Sequence, residues 1–285
     1  MNNFEFVNCP ACSSDEKKFL YHLSYLGKVP FSTVNVNIEN KPEMWKCSEC
    51  GTKYVQKTIN PIDAESLYTN GKSDDRWMSE SFLECKTREI LNVVDTYCIS
   101  NRKVLDIGCN TGEFLDYVKE RGCKTYGVEL SETAQEVLKN KGHSVKASIN
   151  EFDTDFDVIV AFDLIEHLYD IRSFLKNCYD RLNKNGFLIL LSGNANCIGE
   201  KVYKSKWWYS NFPEHIVFIS KKYLAQNEFF SLESYRKTFN SIFYENSKIK
   251  KIYYLIRTYL LQKESAGTIS IFKDHYICVL RKRSI

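Results

Sequence analysis

The chain has 285 residues, a formal net charge of +3, 44% apolar residues and 11 cysteines. No apolar run approaches the ~18–20 residues that a membrane-spanning helix needs, and the opening Met1-Asn2-Asn3-Phe4-Glu5 lacks the basic-then-apolar pattern of a secretory leader. A soluble, cytoplasmic protein without stable membrane insertion is expected, and its odd number of cysteines excludes a complete disulfide framework in favour of reduced thiols and metal ligands.

The first sixty residues carry two Cys-x-x-Cys knuckles, Cys9-Pro10-Ala11-Cys12 and Cys47-Ser48-Glu49-Cys50, the second followed by Gly51. Strand-like alternation from Thr33 to Ile38 lies between them. Four thiolates at ~2.3 Å close a tetrahedral, structural Zn2+ site and leave no position for a water. No strand–helix–strand context of a redox pair surrounds them. Residues 1–60 are therefore expected to be a small zinc-ribbon-like module. It has too little core to stand alone, so metal binding would supply much of its folding free energy. Acids and bases balance here without a Lys/Arg cluster. That favours a packing or substrate-capping role and disfavours nucleic acid as a partner.

Residues 61–84 read as a linker. Pro61, the Tyr68–Gly71 stretch and the following Lys72-Ser73-Asp74-Asp75 are turn-forming throughout. Helical spacing of Phe82, Ile90, Leu91 and Val94 predicts a helix over 77–98 that leads into a domain of residues 85–285. Strands and helices then alternate, as a parallel sheet demands. Strands are expected at 103–107, 125–129, 144–147, 156–162 and 187–191. Helices are expected at 113–121, at 133–141 with Ser131 as N-cap and Gly142 past the end, and at 171–182. An amphipathic helix over 248–262 and a last strand over 275–282 complete the pattern.

The most informative stretch is Lys103–Leu115, K-V-L-D-I-G-C-N-T-G-E-F-L. A short apolar strand stops at a turn holding Gly108 and Gly112, and a helix follows directly. Glycine lets the backbone approach a ligand, and the helix start offers N–H groups. Position 110 is Asn, so the dinucleotide spacing G-x-G-x-x-G fails. Asp106 precedes the first glycine, and the second strand, Thr125–Glu129, ends in an acid suited to ribose hydroxyls. In this pair of motifs the chain resembles the class I S-adenosylmethionine-dependent methyltransferases, over roughly residues 85–285. The resemblance implies an α/β, Rossmann-like, seven-stranded sheet. It implies S-adenosyl-L-methionine as cofactor and S-adenosyl-L-homocysteine as product. In an open sheet the ligand lies over the carboxyl ends of the strands. The cofactor residues are therefore expected to be Asp106, Gly108, Cys109, Asn110 and Gly112 from the first strand end, Glu129 and Leu130 from the second, Ser148 and Ile149 from the third, and Phe162 and Asp163 from the fourth.

Phe162-Asp163-Leu164-Ile165-Glu166-His167-Leu168 is similar to the segment after strand four of small-molecule methyltransferases, including the ubiquinone-pathway O-methyltransferases. It implies His167 as a base or substrate-orienting group. After strand five, Trp207-Trp208-Tyr209 and Pro213-Glu214-His215, continuing to Phe218, Ser220 and Leu224, resemble a bacterial subfamily of carbohydrate and cell-surface biosynthesis. Related nucleotide-sugar C-methyltransferases carry zinc and a Glu-His pair. Carried over, His215 is an acid–base residue, and Glu214 orients it or the substrate. Both histidines remain candidates. A hydroxyl acceptor needs a base near neutral pKa, whereas an anionic phosphate-type oxygen needs only positioning.

Charge supports an anionic, phosphate- or sugar-containing small acceptor. Residues 104–199 hold 10 Lys/Arg against 15 Asp/Glu, which suits a cationic sulfonium, while residues 200–285 hold 16 against 7. O-methylation in cell-surface polysaccharide or related biosynthesis is the preferred reading. The alternatives are an RNA methyltransferase using the ribbon for recognition and a non-catalytic protein that binds the cofactor.

Overall fold

The structure is a computed structural model that describes residues 3–31, 34–70, 82–240 and 273–284. Five short strands come first: β1 (Lys17–His22), β2 (Gly27–Phe31), β3 (Val34–Ile38), β4 (Glu43–Cys47) and β5 (Lys53–Gln56). Helices α1 (Pro61–Asn70), α2 (Phe82–Cys85) and α3 (Arg88–Tyr97) lead to the alternating part. There β6 (Lys103–Ile107), α4 (Glu113–Lys119), β7 (Lys124–Val128), α5 (Glu132–Asn140), β8 (Ser144–Lys146), β9 (Phe156–Phe162), α6 (Ile171–Arg181) and β10 (Leu182–Gly193) follow in turn. After β10 come α7 (Ile198–Tyr203), β11 (Val217–Phe218), α8 (Lys221–Gln226), β12 (Phe230–Thr238) and β13 (His275–Lys282).

The central sheet has seven strands in the order β12-β13-β10-β9-β6-β7-β8. β6 pairs in parallel with both β7 and β9, and β9 with β10, whereas β13 runs antiparallel to β10 and β12. Strand order reverses direction at the β6/β9 boundary, which opens a crevice above those two carboxyl ends. The strand pleat divides the core into two layers. Leu105, Ile159, Leu188, Leu190 and Leu280 face one side with Ile171, Leu175 and Cys178 of α6. Val104, Val158, Val160, Ile189 and Ile277 face the other with Ile90, Val94, Leu115 and Leu138 of the opposite helices. Burial on both faces is why these strands read as near-continuous apolar runs.

The N-terminal residues build a second sheet, β1-β4-β5-β11, and a β2-β3 hairpin. β11 reaches it from the far end of the chain: Val217 pairs with Tyr54 and Phe218 with Lys53. Trp207, Phe212 and Phe218 pack with Leu23, Phe31, Ile38 and Met44 in one core. Burying each such aromatic contributes about 2–3 kcal/mol. The segment after β10 is thus fused into the N-terminal sheet, and Trp207, at 1% exposure, is a core residue there.

Several expectations change. The stretch expected to be turn-forming throughout begins with α1. Pro61 opens that helix, where its missing N–H costs nothing, and Asn60 Oδ1 accepts from Asp63 N at 2.9 Å. The helix expected over 77–98 is broken at Lys86–Thr87 into α2 and α3 within its described part. β10 starts five residues before the expected strand, and a register shift lies between its first residue, Leu182, and Phe187. β13 pairs antiparallel as expected, but β12 covers it and forms the edge. The helix expected over 248–262 lies outside the described residues. Among the described residues, no helix is long and apolar enough to cross a membrane.

Candidate active site and cysteine cluster

The crevice is lined first by the turn after β6. Gly108 and Gly112 take positive φ of 77° and 90°. A Cβ at Gly112 would sit 2.5 Å from Leu138 Cδ2, so this position needs glycine for both conformation and close packing against α5. The amides of Gly108 and Cys109 donate to Val128 O at 2.8 and 3.2 Å, and that of Gly112 to Cys109 O at 2.9 Å. These three amides therefore brace the turn itself, and α4 starts one residue later at Glu113. Cys109 turns its thiol toward the sheet, where a Cβ at Gly127 would meet it at 2.5 Å.

The carboxylates remain for the ligand. Asp106 is 5% exposed, and its carboxylate takes no hydrogen bond from any described residue. Burial, reinforced by Glu129 and Glu113, pushes its carboxyl well above the usual carboxylate range. Glu129 lies at the neighbouring strand tip, where it accepts from Asn110 N and Ser131 N, each at 2.9 Å. It therefore ties the glycine turn to the start of α5. Beside it Leu130 leaves 41% of its surface exposed, an apolar patch at the crevice rim. Ser148 caps the short 3-10 turn Ile149–Glu151, with Ile149 buried. A nearly buried carboxylate without a donor, a second one anchored beside it and an apolar rim fit a ligand with a cationic centre, a diol and a flat apolar ring. S-adenosyl-L-methionine has all three.

At the fourth strand end Phe162 stacks on Phe82 at 5.9 Å and meets Phe114 edge-on at 5.2 Å, so its ring supports the turn from below. Asp163 adopts φ of 50°, an uncommon backbone state for a non-glycine residue. It accepts from Tyr209 Oη and Asn240 Nδ2, each at 3.0 Å, and lies 3.6 Å from Lys86 Nζ. Burial alone would raise its carboxyl, but Lys86, His275, Tyr209 and Asn240 together bring it below the usual range.

Beyond Asp163 the two candidate histidines meet. The rings of His167 and His215 are 4.8 Å apart, edge to face. Sequence separated these residues by nearly fifty positions, yet both belong to one centre. His215 Nδ1 lies 2.6 Å from Tyr209 O, and this backbone carbonyl fixes its ring. His167 Nδ1 lies 2.9 Å from Tyr68 Oη. Burial depresses both imidazoles, that of His215 to about 4, so both are neutral at neutral pH. Glu214 is held by Asn211 Nδ2 at 3.3 Å. Glu166 is fully buried between them. It accepts from Ser192 Oγ at 2.9 Å and from Tyr209 Oη. On the far side of Tyr209, Asp274 Oδ1 holds His275 Nδ1 at 3.0 Å, and Trp208 Nε1 donates to the same carboxylate.

Sequence reasoning missed Tyr68, Lys86 and the Asp274–His275 pair. Tyr68 and Lys86 come from stretches read as linker and plain helix, and no local pattern marks them. Glu166 was visible beside His167 but carried no separate signal.

In the N-terminal sheet Cys9 and Cys50 place their sulfurs 3.7 Å apart and Cys12 and Cys47 theirs 3.6 Å apart. All four lie within 4.8 Å of one another. A tetrahedron with ~2.3 Å bonds has edges of ~3.8 Å. The donor set therefore fits a zinc ion. Next to this cluster a cavity of about 350 Å³ is lined by Lys46, Lys221, Lys222 and Lys237, with Gly51 and Asn194. The ribbon is not basic by itself, but the fold adds lysines from α8 and β12 beside it.

Residues 79–227, just over half of the chain, match the family model of a methyltransferase domain, and the chain belongs to that family. It carries a class I S-adenosylmethionine-dependent methyltransferase domain. The chain is 30% identical over 114 residues to a ubiquinone biosynthesis O-methyltransferase of Bradyrhizobium diazoefficiens, a match that covers 37% of this chain and 45% of that protein. To the enzyme of the same name from Coxiella burnetii it is 29% identical over 108 residues, 34% of this chain and 46% of that one. It thus spans less than half the length of these curated relatives. The solved N-methyltransferase NodS from Bradyrhizobium japonicum, in complex with S-adenosyl-L-homocysteine, superposes with a TM-score of 0.50 at 15% identity, over 79% of this chain and 100% of that one. That likeness is one of fold.

Proposed function

We propose that this chain transfers the methyl group of S-adenosyl-L-methionine to an oxygen of a small anionic or carbohydrate-type acceptor, in cell-surface polysaccharide or related biosynthesis. The observation that carries the reading is one line of polar groups: donor-free Asp106, anchored Glu129, then Asp163, then the paired His167 and His215. When bound, the cofactor supplies an electrophilic methyl on a cationic sulfur. Asp163, held below the usual carboxylate range, provides the negative charge that such a cation needs, and Asp106 offers a buried acceptor to the ligand's own donors. Glu129 accepts the ribose hydroxyls, and Leu130, Ser148 and Ile149 meet the adenine. The Gly108–Gly112 turn, with Cys109 and Asn110, holds the backbone close, while Phe162 braces it. His167 and His215 mark the acceptor end, where a hydroxyl proton must leave, and Glu214 lies at the edge of that end. Positioning the acceptor oxygen in line with the methyl, at roughly 3–3.5 Å, supplies much of the acceleration.

The names of the curated relatives support oxygen as the accepting atom. The lysine-lined cavity supports an acceptor with phosphate or other anionic groups. We further assign a structural Zn2+ to Cys9, Cys12, Cys47 and Cys50 in a module of residues 1–60, joined through 61–84 to the methyltransferase domain of 85–285. The test is a panel of nucleotide sugars and glycans incubated with methyl-labelled cofactor. Label in a sugar or phosphate-bearing product supports the reading. Binding of the cofactor without label in any product favours a non-catalytic role. The lysines beside the ribbon also favour a second reading, RNA methyl transfer, which predicts RNA retention that falls steeply with salt.

A further inference from the structure

Glu166, His167 and His215 come from two separate segments, yet one ligand-capable atom of each lies within 4.8 Å of the others. The Nδ1 atoms of both rings are already engaged, by Tyr209 O at 2.6 Å and by Tyr68 Oη at 2.9 Å. Each ring is thus left with Nε2 to offer, and no described residue hydrogen-bonds either of those atoms. A partner on the second nitrogen is what orients a metal-binding imidazole and fixes its tautomer. The carboxylate is oriented in the same way, by Ser192 Oγ at 2.9 Å and Tyr209 Oη.

Charge counting points the same way. Two carboxylates, Asp163 and Glu166, converge on the single hydroxyl of Tyr209. Lys86, 3.6 Å from Asp163, answers one of them. Among the described residues no lysine or arginine reaches Glu166, which is fully buried. A buried carboxyl without a cation holds a proton to avoid the cost of a bare charge, and a cation held jointly with the two imidazoles would let it ionise.

We propose that Glu166, His167 and His215 hold a divalent transition-metal ion at the acceptor end of the crevice. Two imidazoles and one carboxylate suit Mn2+, Fe2+, Co2+ or Zn2+ rather than Ca2+, and three protein ligands leave positions open. The site itself stands on the side-chain geometry. Its role rests on the methyl-transfer reading: an acceptor hydroxyl held at an open position would be more acidic and would give its proton to solvent, and its oxygen would take the methyl as S-adenosyl-L-homocysteine leaves. The ion differs in chemistry and place from the zinc assigned to the cysteines, whose four ligands close the sphere.

The experiment is Mn2+ titration of the full chain, its cysteine site pre-loaded with zinc, followed by electron paramagnetic resonance. Binding of S-adenosyl-L-homocysteine is measured in parallel by calorimetry. Wild type is expected to bind one Mn2+ per chain, and His167→Ala and His215→Ala to lose it. Tyr68→Phe, which keeps the ring and removes only the hydroxyl, is expected to weaken Mn2+ by about 10–100-fold while leaving the affinity for S-adenosyl-L-homocysteine unchanged. Should the histidine variants not fold, Tyr68→Phe decides. No bound Mn2+ in wild type, or equal affinity in wild type and Tyr68→Phe, overturns the proposal. Mn2+ bound at this site without any S-adenosyl-L-homocysteine binding would sink the methyl-transfer reading and leave the metal site standing.

Discussion

Removing one oxygen from Tyr209 tests the buried polar centre most cleanly. Tyr209 is 3% exposed, and its ring lies 4.4 Å from both His215 and His275, contacts that Tyr209→Phe retains. Only the hydroxyl that donates to Asp163 and Glu166 is lost. Asp163 is partly exposed and keeps Asn240 and Lys86, so it contributes little to the loss. Among the described residues Glu166 keeps Ser192, and its full burial shields it from solvent. A hydrogen bond to a charged group contributes about 1.5–3 kcal/mol, and a buried acceptor left unsatisfied sits at the upper end. Tyr209→Phe should therefore destabilise the metal-free protein by about 2–3 kcal/mol in urea denaturation near pH 7.5, with an unchanged m-value. Burial raises the Glu166 carboxyl, so the deficit should shrink as the pH is lowered and the carboxylate takes up a proton. A variant within about 0.5 kcal/mol of wild type, the range of an ordinary surface change, would refute the description of this centre.

Chelating the zinc proposed at Cys9, Cys12, Cys47 and Cys50 should loosen the β1-β4-β5-β11 sheet first. Limited proteolysis is then expected to cut within residues 1–60 before the alternating part, and simultaneous cleavage of both would contradict a local structural role. Gly112→Ala should cost about 2–4 kcal/mol in denaturation experiments, since it forces a side chain into left-handed backbone and toward Leu138 Cδ2 at 2.5 Å; a neutral result would place the turn elsewhere. In metal-free protein the His215 imidazole is depressed from 6.5 to about 4. A depressed group stabilises the fold above its unfolded pKa, and that contribution is lost as pH falls toward 4, by about 3 kcal/mol at most. The pH-stability curve of wild type should therefore fall more steeply over that window than that of His215→Asn, and parallel curves would argue against the burial described.

What could be read in advance was local. The strand, glycine turn and acid at Asp106 lie within a dozen residues, and Glu129 follows one unit later, so spacing alone set them at neighbouring strand ends. The knuckles were legible for the same reason, because each pair of cysteines is a self-contained turn. Pro61 misled because a proline that ends one helix can also begin another, and only Asn60 before it separates the two cases. β12 was hidden because an edge strand exposed on one side, Phe230–Thr238, shows no clean alternation. The candidate site was half legible. His167 and His215 each stood in a marked segment, but their meeting depends on β11 crossing to the N-terminal sheet, where Ile216 N donates to Glu166 O at 2.8 Å. Tyr68, Lys86 and His275 arrive through that same long-range packing, which leaves no trace in short-range pattern.

Calorimetric titration of the folded, zinc-loaded chain with S-adenosyl-L-homocysteine bears most directly on the central claim. The account predicts a single saturable site per chain, with affinity reduced about tenfold or more in both Asp106→Asn and Glu129→Gln, the loss expected for one charge-assisted hydrogen bond or ion pair. No heat in the wild type, or the same affinity in all three proteins, would contradict it.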